Sequence, residues 1–257
     1  MRTFSKASLS IILATAAFIL STMQLDAQVG KSLVINRFVS DPDNIETHVV
    51  VSDVDGVGPN LKISIFNEEG KLVYERYETL KAFGKINYNP LTYLNAYQHG
   101  YNQKPVFTGT VRIESDGGNI AGQYWEKYRK DDRSFMNMAV PASDGNGYDK
   151  LVCQHFVSDR DVDSRLIVSN TDVVRPVSVD VKFYSDNGGL VGVEKRVIAP
   201  NGVTIIQPHK SLKGVQMTGT AYLVVVGAGK ITGEYWQTVE KEKYQVALPL
   251  EGVTKIR

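Results

Sequence analysis

The sequence predicts an all-β protein built as two tandem antiparallel β-sandwiches of about seven strands each. Three observations predict it: blocks of sequence recur in order along the chain, apolar and polar residues alternate within the blocks, and clusters of Gly, Asn and Asp separate them.

The chain opens with Arg2 and Lys6, an apolar stretch from Leu9 to Leu20, and polar residues leading to Leu25-Asp26-Ala27. Basic start, short apolar core and small residue at the cut form the pattern of a cleaved secretory signal peptide over residues 1–27. A membrane anchor needs roughly 20 apolar residues, and Ser21, Thr22 and Gln24 break this run early. Cleavage after Ala27 is expected, with the product secreted or periplasmic. The single cysteine, Cys153, lies far from the position a lipid anchor would use and has no partner for a disulfide, so the fold must rest on buried apolar surface.

Taking Arg2 and Lys6 from 29 basic residues and Asp26 from 28 acidic ones leaves 27 against 27, a mature formal charge of zero. With no basic run to form a patch, nucleic acid is not an expected partner. No second long apolar run follows, so membrane insertion is not expected.

The repeat organises the rest. Leu33-Val34-Ile35-Asn36-Arg37-Phe38-Val39-Ser40-Asp41 lies over Leu151-Val152-Cys153-Gln154-His155-Phe156-Val157-Ser158-Asp159. In register behind it, Val51-Ser52-Asp53 meets Val168-Ser169-Asn170, and Thr108-Gly109-Thr110 meets Thr218-Gly219-Thr220. Ile120 to Trp125 then meets Ile231 to Trp236, and Ala139-Val140-Pro141 meets Ala247-Leu248-Pro249. Self-similarity of this kind predicts one structural unit used twice. The first copy covers 28–145, the second 146–257, with the turn-rich Ser143 to Gly147 segment at the boundary.

Within each copy, Leu61-Lys62-Ile63-Ser64-Ile65 and Val177-Ser178-Val179-Asp180-Val181 send alternate side chains to one face, the period of a half-buried strand. Asn67 to Gly70 and Ser185 to Gly189 read as hairpin turns, as do Asp116 to Asn119 and Gly227 to Lys230. The strand count fits an immunoglobulin-like sandwich, with a barrel as the other solution; without helical periods between strands, a parallel sheet is excluded. This layout resembles the tandem immunoglobulin-like domains of exported bacterial proteins. The resemblance implies a spacer, an adhesion module or a filament subunit, and it transfers no functional residue.

For catalysis, no histidine is repeated: His48 lies over Arg165, His155 over Arg37, His209 over Leu91, and His99 falls in an insertion of the first copy. No nucleophile elbow, His-Glu-x-x-His or phosphate loop occurs, so no enzymatic activity and no cofactor are expected. Asp159, Asp161 and Asp163 alternate as in hard-cation loops and form a weak calcium candidate. Ser164 stands where an EF-hand needs glycine, and such aspartates more often close turns.

Aromatic residues form the candidate binding set. Strand alternation places Tyr124 with Ile120 and Gly122, and Tyr235 with Ile231 and Gly233, so the tyrosines belong to the core. Trp125 and Trp236 share the opposite face with Gln123 and Glu234, at or near the surface unless a loop or the other domain covers them. Exposed, they would anchor a protein or stack on a sugar. The insertion between Leu91 and Val106 spaces Tyr93, Tyr97 and Tyr101 by four. A short helix from Leu91 to Gln98 stopped by Gly100 is expected there, as a ligand loop or as a plug over the sandwich end. The expected partner is a protein or a second copy in an envelope or extracellular assembly, with a polysaccharide as the alternative.

Overall fold

A computed structural model describes residues 28–41, 44–90, 107–128 and 138–253. Residues 1–27, expected from the sequence to be a signal peptide, and the insertion carrying Tyr93, Tyr97 and Tyr101 lie outside the described residues.

The fold is all-β and antiparallel, as the alternation predicts. The first half runs β1 (Val29–Gly30), β2 (Ser32–Asp41), β3 (Ile45–Asp53), β4 (Asn60–Asn67), β5 (Leu72–Thr79), β6 (Lys85–Tyr88), β7 (Phe107–Ser115), β8 (Ile120–Tyr128), β9 (Met138–Pro141) and β10 (Ser143–Asp144). The second runs β11 (Lys150–Ser158), β12 (Asp163–Asn170), β13 (Val177–Ser185), β14 (Leu190–Ile198), β15 (Val203–Ile206), the one-turn helix α1 (Pro208–Ser211), β16 (Met217–Val226), β17 (Ile231–Val239), β18 (Tyr244–Pro249) and β19 (Glu251–Val253).

In the first half one layer has the order β5-β4-β7-β2-β10 and the other β6-β3-β8-β9, with β1 beside β8. Among the described residues the layers are joined at the short ladder Ser40↔Glu46 and Asp41↔Ile45, where β2 turns into β3. In the second half the layers are β14-β13-β16-β11-β19 and β15-β12-β17-β18. Each layer turns alternate residues inward. On β8 these are Ile120, Gly122, Tyr124, Glu126 and Tyr128, and on β13 they are Val177, Val179, Val181 and Phe183.

Two irregularities sit at matching places. The β2–β7 ladder slips between Ile35 and Phe38, and the β11–β16 ladder between Cys153 and Phe156. Phe38 then pairs with Gly109, and Phe156 with Gly219. A Cβ on Gly109 would lie 1.9 Å from the Phe66 carbonyl oxygen, and one on Gly219 at 1.9 Å from that of Tyr184. Close backbone approach, not a turn, requires these glycines. Each bulge also leaves two residues outside the regular ladder: Asn36 and Arg37 in the first half, Gln154 and His155 in the second.

Two apolar clusters form the interior, each worth roughly 1.5–3 kcal/mol per fully buried large side chain. The cluster of the first half also takes in Ile167, Trp236 and Ala247 from the second. The outward face of β12, β17 and β18 therefore packs against the first half. Cys153 is buried, and burial pushes its thiol up to about 12, which marks it as core packing and not a nucleophile.

Candidate functional site

Where the halves meet, charged residues enter the interior. Glu126 follows Tyr124 at the next inward position of β8 and is fully buried, so its carboxylate must find a partner. The bulge of β2 supplies one: Arg37 Nη1 donates to Glu126 Oε1 at 2.7 Å. Tyr128, one inward step further, donates its hydroxyl to Glu126 Oε2 at 3.1 Å.

The second half completes the cluster. Tyr124 OH donates to Glu234 Oε1 at 2.5 Å, and Trp236 Nε1 donates to the same oxygen at 2.9 Å. The Arg37 guanidinium lies 5.1 Å from the centre of the Trp236 ring, a cation–π contact across the junction.

Burial governs the protonation of these groups. It is the largest single influence on Arg37 and opposes the charge there, but the Glu126 carboxylate together with Tyr128 and Tyr124 outweighs it and the guanidinium is held charged. Burial, reinforced by Glu234, raises the Tyr124 phenol well above its ordinary range, so it remains a donor. Burial also pushes the Glu234 carboxyl up to about 7, against the hydrogen bonds from Tyr124 and Trp236. Three further contacts knit the halves. Val203 N–H donates to the Glu68 carbonyl (3.1 Å), Thr110 Oγ1 to the Asn201 carbonyl (3.0 Å), and Arg112 Nη1 to the Thr171 carbonyl (2.8 Å).

Beside the buried cluster lies a cleft of about 630 Å³. Arg37, Ile45 and Tyr128 line it from the first half, and Asp163, Arg165, Gln207, Trp236 and Gln245 are among its lining from the second. Among its charges Asp163 is paired with Arg165 and Asp161 faces Lys241 at 3.6 Å, while Asp159, Arg160 and Lys210 also line it.

A second surface is the outward face of the sheet β14-β13-β16-β11-β19. Across it the rows read Val197, Ser178, Val226, then Lys195, Asp180, Val224, Lys150, then Val193, Lys182, Tyr222, Val152. Tyr184 and Tyr222 make an edge-to-face pair at 5.4 Å, and Lys150 Nζ lies 4.3 Å from the Tyr222 ring centre. Val193, Val197 and Val226 are exposed, Val197 at 72 %.

The residues singled out in the sequence divide as follows. Both tyrosines of the Tyr-Trp pairs are inside, as alternation requires. Trp236 does point away from its own core, but the first half covers it and it is 4 % exposed, so its indole is not a surface platform. Trp125 is half-buried on the outward face of β8, stacked on His48 at 5.2 Å, with His48 Nε2 3.2 Å from Glu46 Oε1. Only Trp125 remains a candidate contact of the pair.

The calcium candidate disperses. Asp159 accepts the backbone N–H of Asp161 (2.7 Å), while Asp161 and Asp163 face the cations named above. Among the described residues no group of three His, Cys, Asp or Glu side chains is placed to hold a metal ion. Asp53 likewise closes a loop. Backbone N–H groups of Gly58, Phe83, Gly56 and Asp55 hold its carboxyl below the usual range, the Gly58 bond foremost.

Arg37, Glu126 and Glu234 were not singled out from the sequence, though a signal existed. Where the recurring blocks of the two halves are aligned they face His155, Gln237 and Gln123, so a charge is present in one half and absent from the other at all three positions. The Tyr184–Tyr222 face carries no such signal, because its residues converge only through strand register.

No family model matches the sequence, and no curated protein matches it. Similar solved structures include a Bacteroides uniformis β-glucuronidase, 13 % identical over 82 % of this chain and 25 % of that one, with a TM-score of 0.16. A Parabacteroides merdae β-glucuronidase is 11 % identical over 83 % and 26 %, with a TM-score of 0.17. An anti-sigma factor domain-containing protein from Clostridium clariflavum is 12 % identical over 86 % and 85 %, with a TM-score of 0.21. The chain spans about a quarter of the length of the glucuronidases, and likeness at this level carries no argument about function.

Proposed function

We propose that the chain is an exported, non-enzymatic module that binds protein within a cell envelope or extracellular assembly, built from two copies of one sandwich unit. The observation that carries this reading is the outward face of β14, β13 and β16. It sets Tyr184, Tyr222, Val193, Val197, Val224 and Val226 among lysines on a sheet whose edge strand β14 has one unpaired side among the described residues. Aromatic and aliphatic area with a polar rim is how protein interfaces gain affinity, and an open edge accepts an added strand.

The buried charges agree with a structural role. Arg37 bonds Glu126 and Tyr124 bonds Glu234 at the junction, and of these four only Arg37 lines the cleft. The test is retrieval of partners from the organism's envelope fraction by purified protein, with Tyr222→Glu as control. A partner, self or other, bound by the parent and lost in the variant supports the reading. A monodisperse monomer that retrieves nothing overturns it.

A second reading is carbohydrate binding, favoured by the junction cleft with its Asp163, Arg165, Gln207 and Gln245 side chains beside Trp236. Tryptophan fluorescence titrated with a panel of polysaccharides tests it, and unchanged spectra across the panel eliminate it.

A further inference from the structure

Among the described residues, the contact that joins the halves has an equivalent, uncovered surface on each half. Within the chain, the turn before β15 sits on the β4–β5 hairpin and on β7. Val203 N–H bonds the Glu68 carbonyl, the Asn201 carbonyl accepts from Thr110, and the Pro200 carbonyl lies so near Gly70 that a Cβ there would be 1.8 Å from it.

Ladder register gives the equivalent of each group. Asp53 N–H bonds the Gly84 carbonyl as Asn170 N–H bonds that of Gly202, so Phe83 corresponds to Asn201 and Lys85 to Val203. Phe83 and Asn201 even share a left-handed backbone, with φ of 52° and 55°. On the receiving side, Phe66 pairs with Thr110 as Tyr184 pairs with Thr220, and the hairpin bonds of Asn67 and Ser185 match, so Asp186 corresponds to Glu68 and Gly188 to Gly70.

Both vacant surfaces are shaped for contact. The donor turn on the first half presents Phe83, 76 % exposed, next to exposed Lys85. The receiving surface on the second half presents the Tyr184–Tyr222 pair, exposed Asp186, and Gly188, beside which a Cβ would meet nothing within 4 Å. Where the internal contact pairs Val203 with Glu68, the vacant surfaces offer opposite charges, Lys85 and Asp186. The change is also matched deeper in: His155 replaces Arg37 on one side and Gln123 replaces Glu234 on the other, so the buried charge is removed from both.

We propose that a second copy of this chain is the partner, docking the Phe83–Lys85 turn of one molecule onto the Tyr184–Asp186–Gly188–Thr220 surface of the next. This rests on the reading that the protein belongs to an assembly and that its halves are copies of one unit. The contact is head-to-tail, with each molecule carrying one donor and one acceptor surface, so it produces an open chain or a ring instead of a closed dimer.

Sedimentation velocity over a range of protein concentrations tests it. The parent is expected to rise above monomer mass with concentration. Lys85→Glu and Asp186→Lys, both at exposed positions, each weaken association at least about tenfold, because like charges then face each other. The double variant K85E/D186K recovers association, since every contact again joins opposite charges. Phe83→Asp, a residue type tolerant of positive φ, abolishes it while circular dichroism stays unchanged. A parent that is monomeric at every concentration overturns the inference, as does association indifferent to all of these variants. A monomeric protein that retrieves a different envelope protein through the Tyr222 face overturns this inference and leaves the proposed function standing.

Discussion

The Tyr124 hydroxyl of the first half donates to the Glu234 carboxyl of the second at 2.5 Å, inside the junction between the two halves. Glu234 is 1 % exposed, and water cannot replace the donor. Tyr124→Phe removes the hydroxyl and keeps the ring, so unfolding should shift by about 0.5–1.5 kcal/mol where Glu234 is protonated and about 1.5–3 kcal/mol where it is ionised. Urea midpoints at constant slope check this.

The same carboxyl makes stability depend on pH. Its folded value of about 7 lies above the unfolded value of 4.5, so between them the folded state binds the proton more tightly. Stability from this group is therefore full below about pH 4.5 and declines as pH rises toward and through 7, by an amount on the order of 3 kcal/mol. Glu234→Gln, which keeps the shape without the ionisation, should flatten the urea midpoint between pH 5 and pH 8. A slope that survives the substitution assigns the dependence elsewhere.

Arg37 and Glu126 form a buried pair 2.7 Å apart, and removing one partner strands the other charge. Arg37→Met is expected to destabilise by about 3–5 kcal/mol. The double substitution Arg37→Met with Glu126→Leu is expected to lose less than either single change suggests, which a double-mutant cycle measures.

The two tryptophans should report different surroundings. Trp236 is covered by the first half and Trp125 is half-buried beside His48. In Trp125→Phe the remaining emission should be blue-shifted and protected from acrylamide, and in Trp236→Phe it should be redder and quenched more readily.

Gly109 and Gly219 should be equally intolerant of a side chain. Alanine at either places a Cβ against a carbonyl oxygen of the neighbouring strand, so each is expected to lose about 1–3 kcal/mol or more through forced backbone shifts. Thermal unfolding of Gly109→Ala and Gly219→Ala reads this directly, and a loss in only one of them would break the equivalence of the two bulges.

Local periodicity made much of the fold legible. The alternation on β8 and β17 already separates Tyr124 and Tyr235 from Trp125 and Trp236, and β2 and β11 align residue for residue through the repeated blocks alone. The candidate site was far less legible, because alternation says which face a residue takes and not what lies against that face. Trp236 on β17 and Trp125 on β8 both point away from the tyrosine face of their strands, yet one is sealed and the other half-open.

The sequence by itself determined the strands, their inward faces, the repeated blocks and the turn positions, since each depends on residues a few places apart. Only the tertiary structure decided that Arg37 reaches Glu126, that Tyr124 meets Glu234 across 110 residues, and that Tyr184 and Tyr222 share a surface. Those relationships depend on how one half is placed on the other and on strand register. A contact between distant segments leaves no period in the chain, only isolated differences such as Arg37 opposite His155.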